Sequence, residues 1–393
     1  MTQLNFTVNI EDLKEKVATS DLDAVVKSSL VLVLNEYMEK ERDDYLNAGA
    51  YERTDGRADY RNGYYERDFL VSAGKIKLKV PRTRDGAFST AIFERYKRAD
   101  QSLTLSMMEM VVNGVSTRKV TKIVEQLCGE NVSKSFVSSL TKKLDPVVNE
   151  WANRPLNLMY YKYIYVDAMY IKVREHQRVV SKAVYIAIGV NKDHKREIIG
   201  LNVNHAESKE GWTQFFDKLK SRGLSSPALM ISDAHQGLKR AIQESFIGTG
   251  WQRCTFHFKR NIMDRMPKKN AEEAKRLLKY MFDVPDIEKA RALKSEFIET
   301  YEEEKGYQKV IETLDEGFED AIQYMNEPVE YHVQLRTTNN LERLNGEIRR
   351  REKVIRIFPN TQSAFRLIGA VLMDYGETME KENRRFLQKR REG

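Results

Sequence analysis

Apolar positions recur at helical spacing near the start of the chain: Val25, Val26, Leu30, Val33, Leu34, Tyr37 and Met38, followed by the charged run Glu39 to Asp44 and the breaker pair Ala48-Gly49. This predicts a helical region over residues 1–50, packed on its own domain or used as a dimer contact. Residues 51–100 begin rich in Tyr and Arg and pass into two period-two stretches, Asp68 to Ser72 and Lys75 to Val80, with Ala73-Gly74 as a hairpin turn. Ile76, Leu78 and Val80 would point one way and Lys75, Lys77 and Lys79 the other, a lysine face suited either to solvent or to a phosphate backbone. Over residues 101–150 three short helices are expected: Ser102 to Val112, Thr117 to Cys128 and Lys134 to Leu144. Ser116 and Ser133 would be the N-caps, Gly114 and Gly129 the stops. Val120, Ile123, Val124 and Leu127 form one apolar stripe, and Val132, Phe136, Val137 and Leu140 its partner. Two short amphipathic helices around a Gly-containing turn make a helix-turn-helix. Lys134, Ser135, Ser138, Lys142 and Lys143 then lie on the polar side of a helix that would enter the major groove, hydroxyls near base edges and lysines near phosphates.

Beyond Pro146 the pattern becomes mixed. Runs of β-formers cover Tyr163 to Val173, Val179 to Val190 and Glu197 to Val203; then come a helix from Lys209 to Arg222, a strand from Ala228 to Ser232, a helix from Gln236 to Phe246 and a strand from Gly250 to Phe256. Three strands joined by short turns, followed by strand-helix alternation, is the order of a ribonuclease-H-like α/β fold, placed here over residues 158–262. In that fold the first and fourth strands are neighbours. Ala271 to Met325 is helical by period and reads as an insertion over residues 263–330, leaving 331–393 as the final helices. The expected fold class is a ribonuclease-H-like catalytic domain with an all-helical insertion, preceded by a mainly helical DNA-binding region that contains the helix-turn-helix and the β-hairpin.

Charge sharpens this picture. The net charge is +8, but Arg343 to Gly393 carries a net +6 while Lys268 to Glu330 carries −7. Clustered cations attract polyanions through counterion release, so nucleic acid is the favoured partner and the acidic segment faces elsewhere. Purely apolar runs such as Leu30 to Leu34 are far short of the ~20 residues that span a bilayer, and the start lacks a secretory layout, so no membrane and a cytoplasmic, nucleoid-associated location are expected. Cys128 and Cys254 make neither a disulfide framework nor a complete zinc site by themselves.

Three carboxylates stand out. Asp167 lies inside an otherwise apolar strand, where an unpaired charge is costly. Asp233 directly follows the fourth strand, in Ser232-Asp233-Ala234-His235-Gln236-Gly237, at a strand end of the kind that places reactive groups. Two acids side by side repel, and a divalent cation relieves that repulsion, so the pair reads as a Mg²⁺ or Mn²⁺ site. Glu342 on a later helix, in Arg336-Thr337-Thr338-Asn339-Asn340-Leu341-Glu342-Arg343-Leu344-Asn345, is the candidate third ligand, with Glu347 as its rival and Thr338 or Asn339 as the helix cap. Phosphoryl transfer by two metal ions needs hard ligands shared between them, which three carboxylates supply. Trp251 would pack in the core or stack on an unpaired base.

The chain resembles a mutator-type transposase of bacterial insertion sequences over nearly its whole length. The resemblance rests on Tyr60-Arg61-Asn62-Gly63-Tyr64-Tyr65-Glu66-Arg67, Gly114-Val115-Ser116-Thr117-Arg118, Val166-Asp167-Ala168, Ile188-Gly189-Val190, Ser232 to Leu238, Trp251 to His257 with Arg260-Asn261, and Thr337 to Glu342 with Leu344-Asn345. Ala234 and Arg343 depart from the residues common there. The resemblance implies an acid-acid-glutamate triad at Asp167, Asp233 and Glu342, and a Cys-x-x-His signature at Cys254 and His257. At the end of the fifth strand His257 would approach the scissile phosphate, steady the leaving group or serve as a structural histidine, and Cys254 would pack. It also implies binding of terminal inverted repeats, hydrolysis that frees a 3′-hydroxyl, attack of that hydroxyl on target DNA, and a homodimer that joins both ends. Arg343, Arg349, Arg350, Arg351, Lys353 and Arg356 would neutralise phosphates or form a solvated basic face, and Arg118 is a further DNA-binding candidate. The competing readings are a ribonuclease-H-like nuclease without strand transfer and a non-catalytic, domesticated DNA-binding regulator.

Overall fold

The structure, a computed structural model, describes residues 22–93, 101–129, 131–269, 271–381 and 385–387; residues 1–21 of the expected N-terminal helical region lie outside these. The chain divides into two compact units, Met1–Thr141 and Lys142–Gly393.

In the first unit, helix α1 (Leu22–Leu46) lies against an antiparallel hairpin of β1 (Arg61–Val71) and β2 (Gly74–Thr83). Met38 joins Phe69, Val71, Ile76, Leu78, Val80 and Phe93 in one core, with Leu30 and Leu34 packed against it. This is the reading in which the helix packs on its own domain. Gly74 has φ +116°, and a Cβ there would stand 2.8 Å from the Cys128 carbonyl, so the turn needs glycine twice over. Strand β1 begins seven residues before the predicted period-two stretch, because the Tyr- and Arg-rich segment is itself strand. Cations stack on aromatic rings within the unit: Arg82 of β2 over Tyr65, Arg67 over Phe93, and Arg57 over Tyr60.

Helices α2 (Gln101–Val112), α3 (Thr117–Cys128) and α4 (Lys134–Thr141) follow. Ser116 accepts from the Lys119 N–H, Gly129 closes α3 in the left-handed region, and Ser133 accepts from the Phe136 N–H, as the residue types predict. Two details differ. Leu127 is 68% exposed, so the α3 stripe is narrower than its spacing suggested. Helix α4 stops at Thr141, and Lys142 and Lys143 fall beyond it, in the second unit.

The second unit opens with α5 (Leu144–Ala152) and is built on a five-stranded sheet of β3 (Tyr161–Glu175), β4 (Arg178–Asn191), β5 (Arg196–Asn204), β6 (Leu229–Ser232) and β7 (Gly250–Arg253), in the order β5-β4-β3-β6-β7. Strands β3, β4 and β5 pair antiparallel, while β6 runs parallel to both β3 and β7. The first and fourth strands of this sheet are therefore neighbours. Helices α6 (Lys209–Ser221) and α7 (Gln236–Ser245) cover one face, where Trp212, Phe215, Phe216, Leu238, Ile242 and Phe246 bury the apolar side of the strands. Trp251 joins this core and donates its indole N–H to Ser232 Oγ at 2.8 Å.

Strand β7 ends at Arg253, three residues earlier than its composition suggested, because Thr255 already begins α8 (Thr255–Met263). Helices α9 (Glu272–Met281), α10 (Ile287–Tyr301) and α11 (Gln308–Ala321) form the helical block predicted between the last strand and the final helices. Buried Gln252 ties that block to β7: its Nε2 donates to the Ala321 carbonyl, and its Oε1 accepts from the Tyr324 N–H, both at 2.8 Å. After the short α12 (His332–Leu335) come α13 (Asn339–Ile355) and α14 (Thr361–Lys381). Helix α14 is held to α5 by a half-buried pair in which Arg366 Nε and Nη2 donate to Asp145 at 2.6 and 2.9 Å.

Candidate active site

The register of the parallel pair decides where the two aspartates stand. Tyr163, Ile164 and Tyr165 pair with Leu229, Met230 and Ile231, and continuing that register sets Asp167 opposite Asp233 just past the end of β6. Burial pushes the Asp167 carboxyl up to about 7, helped by the charge of Asp233 and, less, of Glu207. The Ala168 N–H, at 2.8 Å, and the Asn345 amide, at 2.5 Å, work against that rise. Burial also raises Asp233, and the Glu342 charge adds to it, while His257 and the Thr338 hydroxyl oppose it.

Helix α13 is pinned at both ends. At its start Thr338 is the N-cap residue but makes no side-chain cap bond; its hydroxyl goes instead to Asp233 Oδ1 at 3.3 Å and to Cys254 Sγ at 3.4 Å. At its far end Phe358 exchanges backbone hydrogen bonds with β3, accepting from the Arg174 N–H and donating to the Lys172 carbonyl. The helix thus crosses the sheet so that Glu342 and Asn345, three residues apart and on one face, meet the aspartates. Glu342 Oε1 lies 2.9 Å from His257 Nε2, and Asp233 Oδ2 lies 3.5 Å from the same nitrogen. The rival Glu347 is ion-paired with Arg350 and Arg351. That pairing buries Arg351, which removes it from the cations expected at phosphates.

His257 was placed by sequence at the end of the fifth strand; it sits instead in the first turn of α8, between Asp233 and Glu342. Cys254, the residue before that helix, is buried, its thiol pushed up by burial. Asp233, Cys254 and His257 bring ligand atoms within 4.8 Å of one another, and no other such trio occurs among the described residues. Asp167, Asp233 and Glu342 do not form such a trio; Asp233 and Glu342 flank the imidazole, and Asp167 stands opposite Asp233 in the strand register. The donor sets differ in kind, since three oxygens suit a hard cation such as Mg²⁺ or Mn²⁺ whereas the sulfur-bearing trio suits a softer one. With its thiol held protonated by burial and bonded by Thr338, Cys254 fits packing better than ligation.

The sequence assigns no site role to Asn345 or Glu207, and to Thr338 only that of a helix cap. Asn345 was legible as the residue one turn after Glu342. Glu207, which accepts from Trp212 Nε1 at 3.2 Å and lies 3.6 Å from His235 Nδ1, stands in a connecting segment whose path no periodicity announces. The expected DNA-contacting residues are spread over both units. Lys134, Ser135, Ser138, Arg118, Arg343 and Arg349 are exposed. Lys75 and Lys77 pair with Asp68 and Glu66 at 2.8 and 3.1 Å, so the lysine face of β2 is mixed in charge; Lys79 is exposed on it.

Against this geometry, the sequence profile described as Transposase, Mutator family matches residues 1–381. The chain belongs to the Mutator family of transposases. It is 52% identical over 387 residues to the transposase for insertion sequence element IS256 in transposon Tn4001 of Staphylococcus aureus, covering 98% of this chain and 99% of that one. The transposase for ISRM5 of Rhizobium meliloti is 40% identical, covering 90% of this chain and 88% of its own length. That for IS1081 of Mycobacterium tuberculosis is 38% identical, covering 94% and 88%. A transposase acts on DNA, and among the described residues no helix is long and apolar enough to cross a membrane.

Proposed function

We propose that this transposase cuts and joins DNA at Asp167, Asp233 and Glu342, on a ribonuclease-H-like core, with Mg²⁺ or Mn²⁺ as cofactor. The observation that carries the reading is the pairing of two raised, mutually repelling carboxylates at one strand end, faced by a glutamate from a pinned helix. Such a cluster is costly until a cation neutralises it. Asp167, Asp233 and Glu342 would hold the ions, and because the three do not form one compact trio the set suits two ions better than one. Bound there, the ions would activate the attacking oxygen and stabilise the leaving one.

The chain's own residues do the rest. Asn345 donates to Asp167 Oδ2 while the Ala168 N–H holds Oδ1, so both oxygens of that carboxylate are oriented. Thr338 orients Asp233 and the Cys254 sulfur together. His257, whose Nε2 lies 2.9 Å from Glu342 and 3.5 Å from Asp233, would hold or pass a proton at that nitrogen beside the phosphate. Helices α3 and α4, as a helix-turn-helix, would read the terminal inverted repeat with Lys134, Ser135 and Ser138. Arg118, Arg343 and Arg349 would meet phosphates, and joining two ends calls for a homodimer. Asp167→Asn keeps the shape and removes the charge; it should bind an end duplex as the parent does and cleave neither strand in Mg²⁺. Cleavage at the parental rate would take Asp167 out of the mechanism.

A further inference from the structure

Arg343 follows Glu342 and so points roughly 100° away from it around α13, into a cavity of about 340 Å³. Lys195 and Arg196 line the cavity from the start of β5, Arg343 and Asn340 from the first turn of α13, and Arg385 from the segment after α14. Its described lining residues include four cations and no carboxylate. Phe386 forms part of the wall: its N–H donates to the His194 carbonyl at 2.7 Å, its ring meets Tyr165 edge-on at 6.0 Å, and Arg196 lies over it at 4.7 Å. Tyr165 is two residues before Asp167 on the same strand face, so the cavity and the carboxylates share one side of β3.

Two observations point to an anion. The cavity opens on the N-terminal turn of a 17-residue helix whose cap residue leaves the first-turn N–H groups without a side-chain acceptor. Asn340, 7% exposed and lining the same cavity, has a buried amide nitrogen with no hydrogen-bond partner. A buried donor left unpaired is unfavourable, and an acceptor arriving from outside removes that cost. Gln334 beside it has an unpaired buried Oε1; turning its amide over would offer a second donor.

We propose that this cavity binds a DNA phosphate flanking the one that is cut, with Arg196 and Arg343 as its charged grips and the Asn340 amide as its buried donor. The proposal rests on the reading of Asp167, Asp233 and Glu342 as the cutting site, since it takes its place on the strand from them. The shared chemistry is a tetrahedral phosphate oxyanion, and the source named is the DNA backbone rather than free phosphate.

The test reads binding alone, with full-length protein carrying Asp167→Asn so that cleavage does not enter. End duplexes are made with one neutral methylphosphonate at each phosphate in turn around the cleavage position. One position next to the cut should weaken binding about tenfold, and the same substitution should cost the Arg196→Gln, Arg343→Gln double variant nothing, because both changes delete one contact. The double variant should also lower the slope of log affinity against log salt by about one, the share of a single phosphate, rather than two. Equal losses at that position in parent and double variant would overturn the proposal. So would saturable stabilisation by inorganic phosphate at low concentration with no sensitive position in the DNA scan, which marks a small-anion site. Failure of the cutting-site reading would show separately, as parental cleavage by Asp167→Asn.

Discussion

Asn345 shows how a neutral side chain can prepare a charged site. Its amide bonds one oxygen of Asp167 and the Ala168 N–H bonds the other, so the carboxylate is held in one orientation. Groups that orient a metal ligand typically account for 10–100-fold in metal affinity or activity. Asn345→Ala should therefore raise the Mg²⁺ concentration needed for half-maximal cleavage by roughly that factor while end binding stays level; an unchanged Mg²⁺ requirement would leave Asn345 with a packing role only. His257 belongs at the same scale. If it moves a proton at the phosphate, His257→Ala should slow cleavage by at least ~100-fold without weakening attachment to the end duplex, and a loss confined to attachment would exclude that role.

Elements carry the residues to these positions, and here the sequence was unevenly informative. The strands of the second unit were legible because β3, β4 and β6 are nearly continuous apolar runs, and the aspartates stood out against them. The start of α8 was harder to see: Trp251 to Phe256 contains enough aromatic and β-branched residues to pass for strand, yet chain geometry turns at Cys254 and puts His257 on a helix. Thr338 looked like a cap because caps are usually Ser or Thr, and tertiary demand from Asp233 and Cys254 redirected its hydroxyl. The α3 stripe differs at one position: Leu127 is exposed while Val124 and Cys128, on either side of it in the sequence, are buried, so the covered face is narrow rather than short. That difference is measurable. Leu127→Ala should alter stability by less than ~0.5 kcal/mol, whereas Val124→Ala, fully buried in the same helix, should cost about 1–3 kcal/mol in a denaturant titration. In the sheet's core, Trp212→Ala should cost about 3–5 kcal/mol.

At the scale of the whole molecule, charge is sorted along the chain and then partly cancelled in space. The hairpin lysines, conspicuous in the sequence, face acids across the strand, because antiparallel pairing sets Asp68 beside Lys77 and Glu66 beside Lys79, a register that no one-dimensional reading reveals. Lys134 is exposed on α4 with no such partner in the described residues. Lys134→Gln should lower the salt slope of end binding by about one, and Lys77→Gln should lower it by clearly less. Equal effects would mean that the Glu66 pairing gives way to DNA.

The claim on which the rest depends is that three acids from β3, the end of β6 and α13 share divalent ions. Counting Mn²⁺ bound per protomer by electron paramagnetic resonance, with end DNA present, addresses it directly. Two ions are predicted for the parent protein, with fewer and weaker ions in each of Asp167→Asn, Asp233→Asn and Glu342→Gln. The same number of ions at the same affinity in all four proteins would contradict the account.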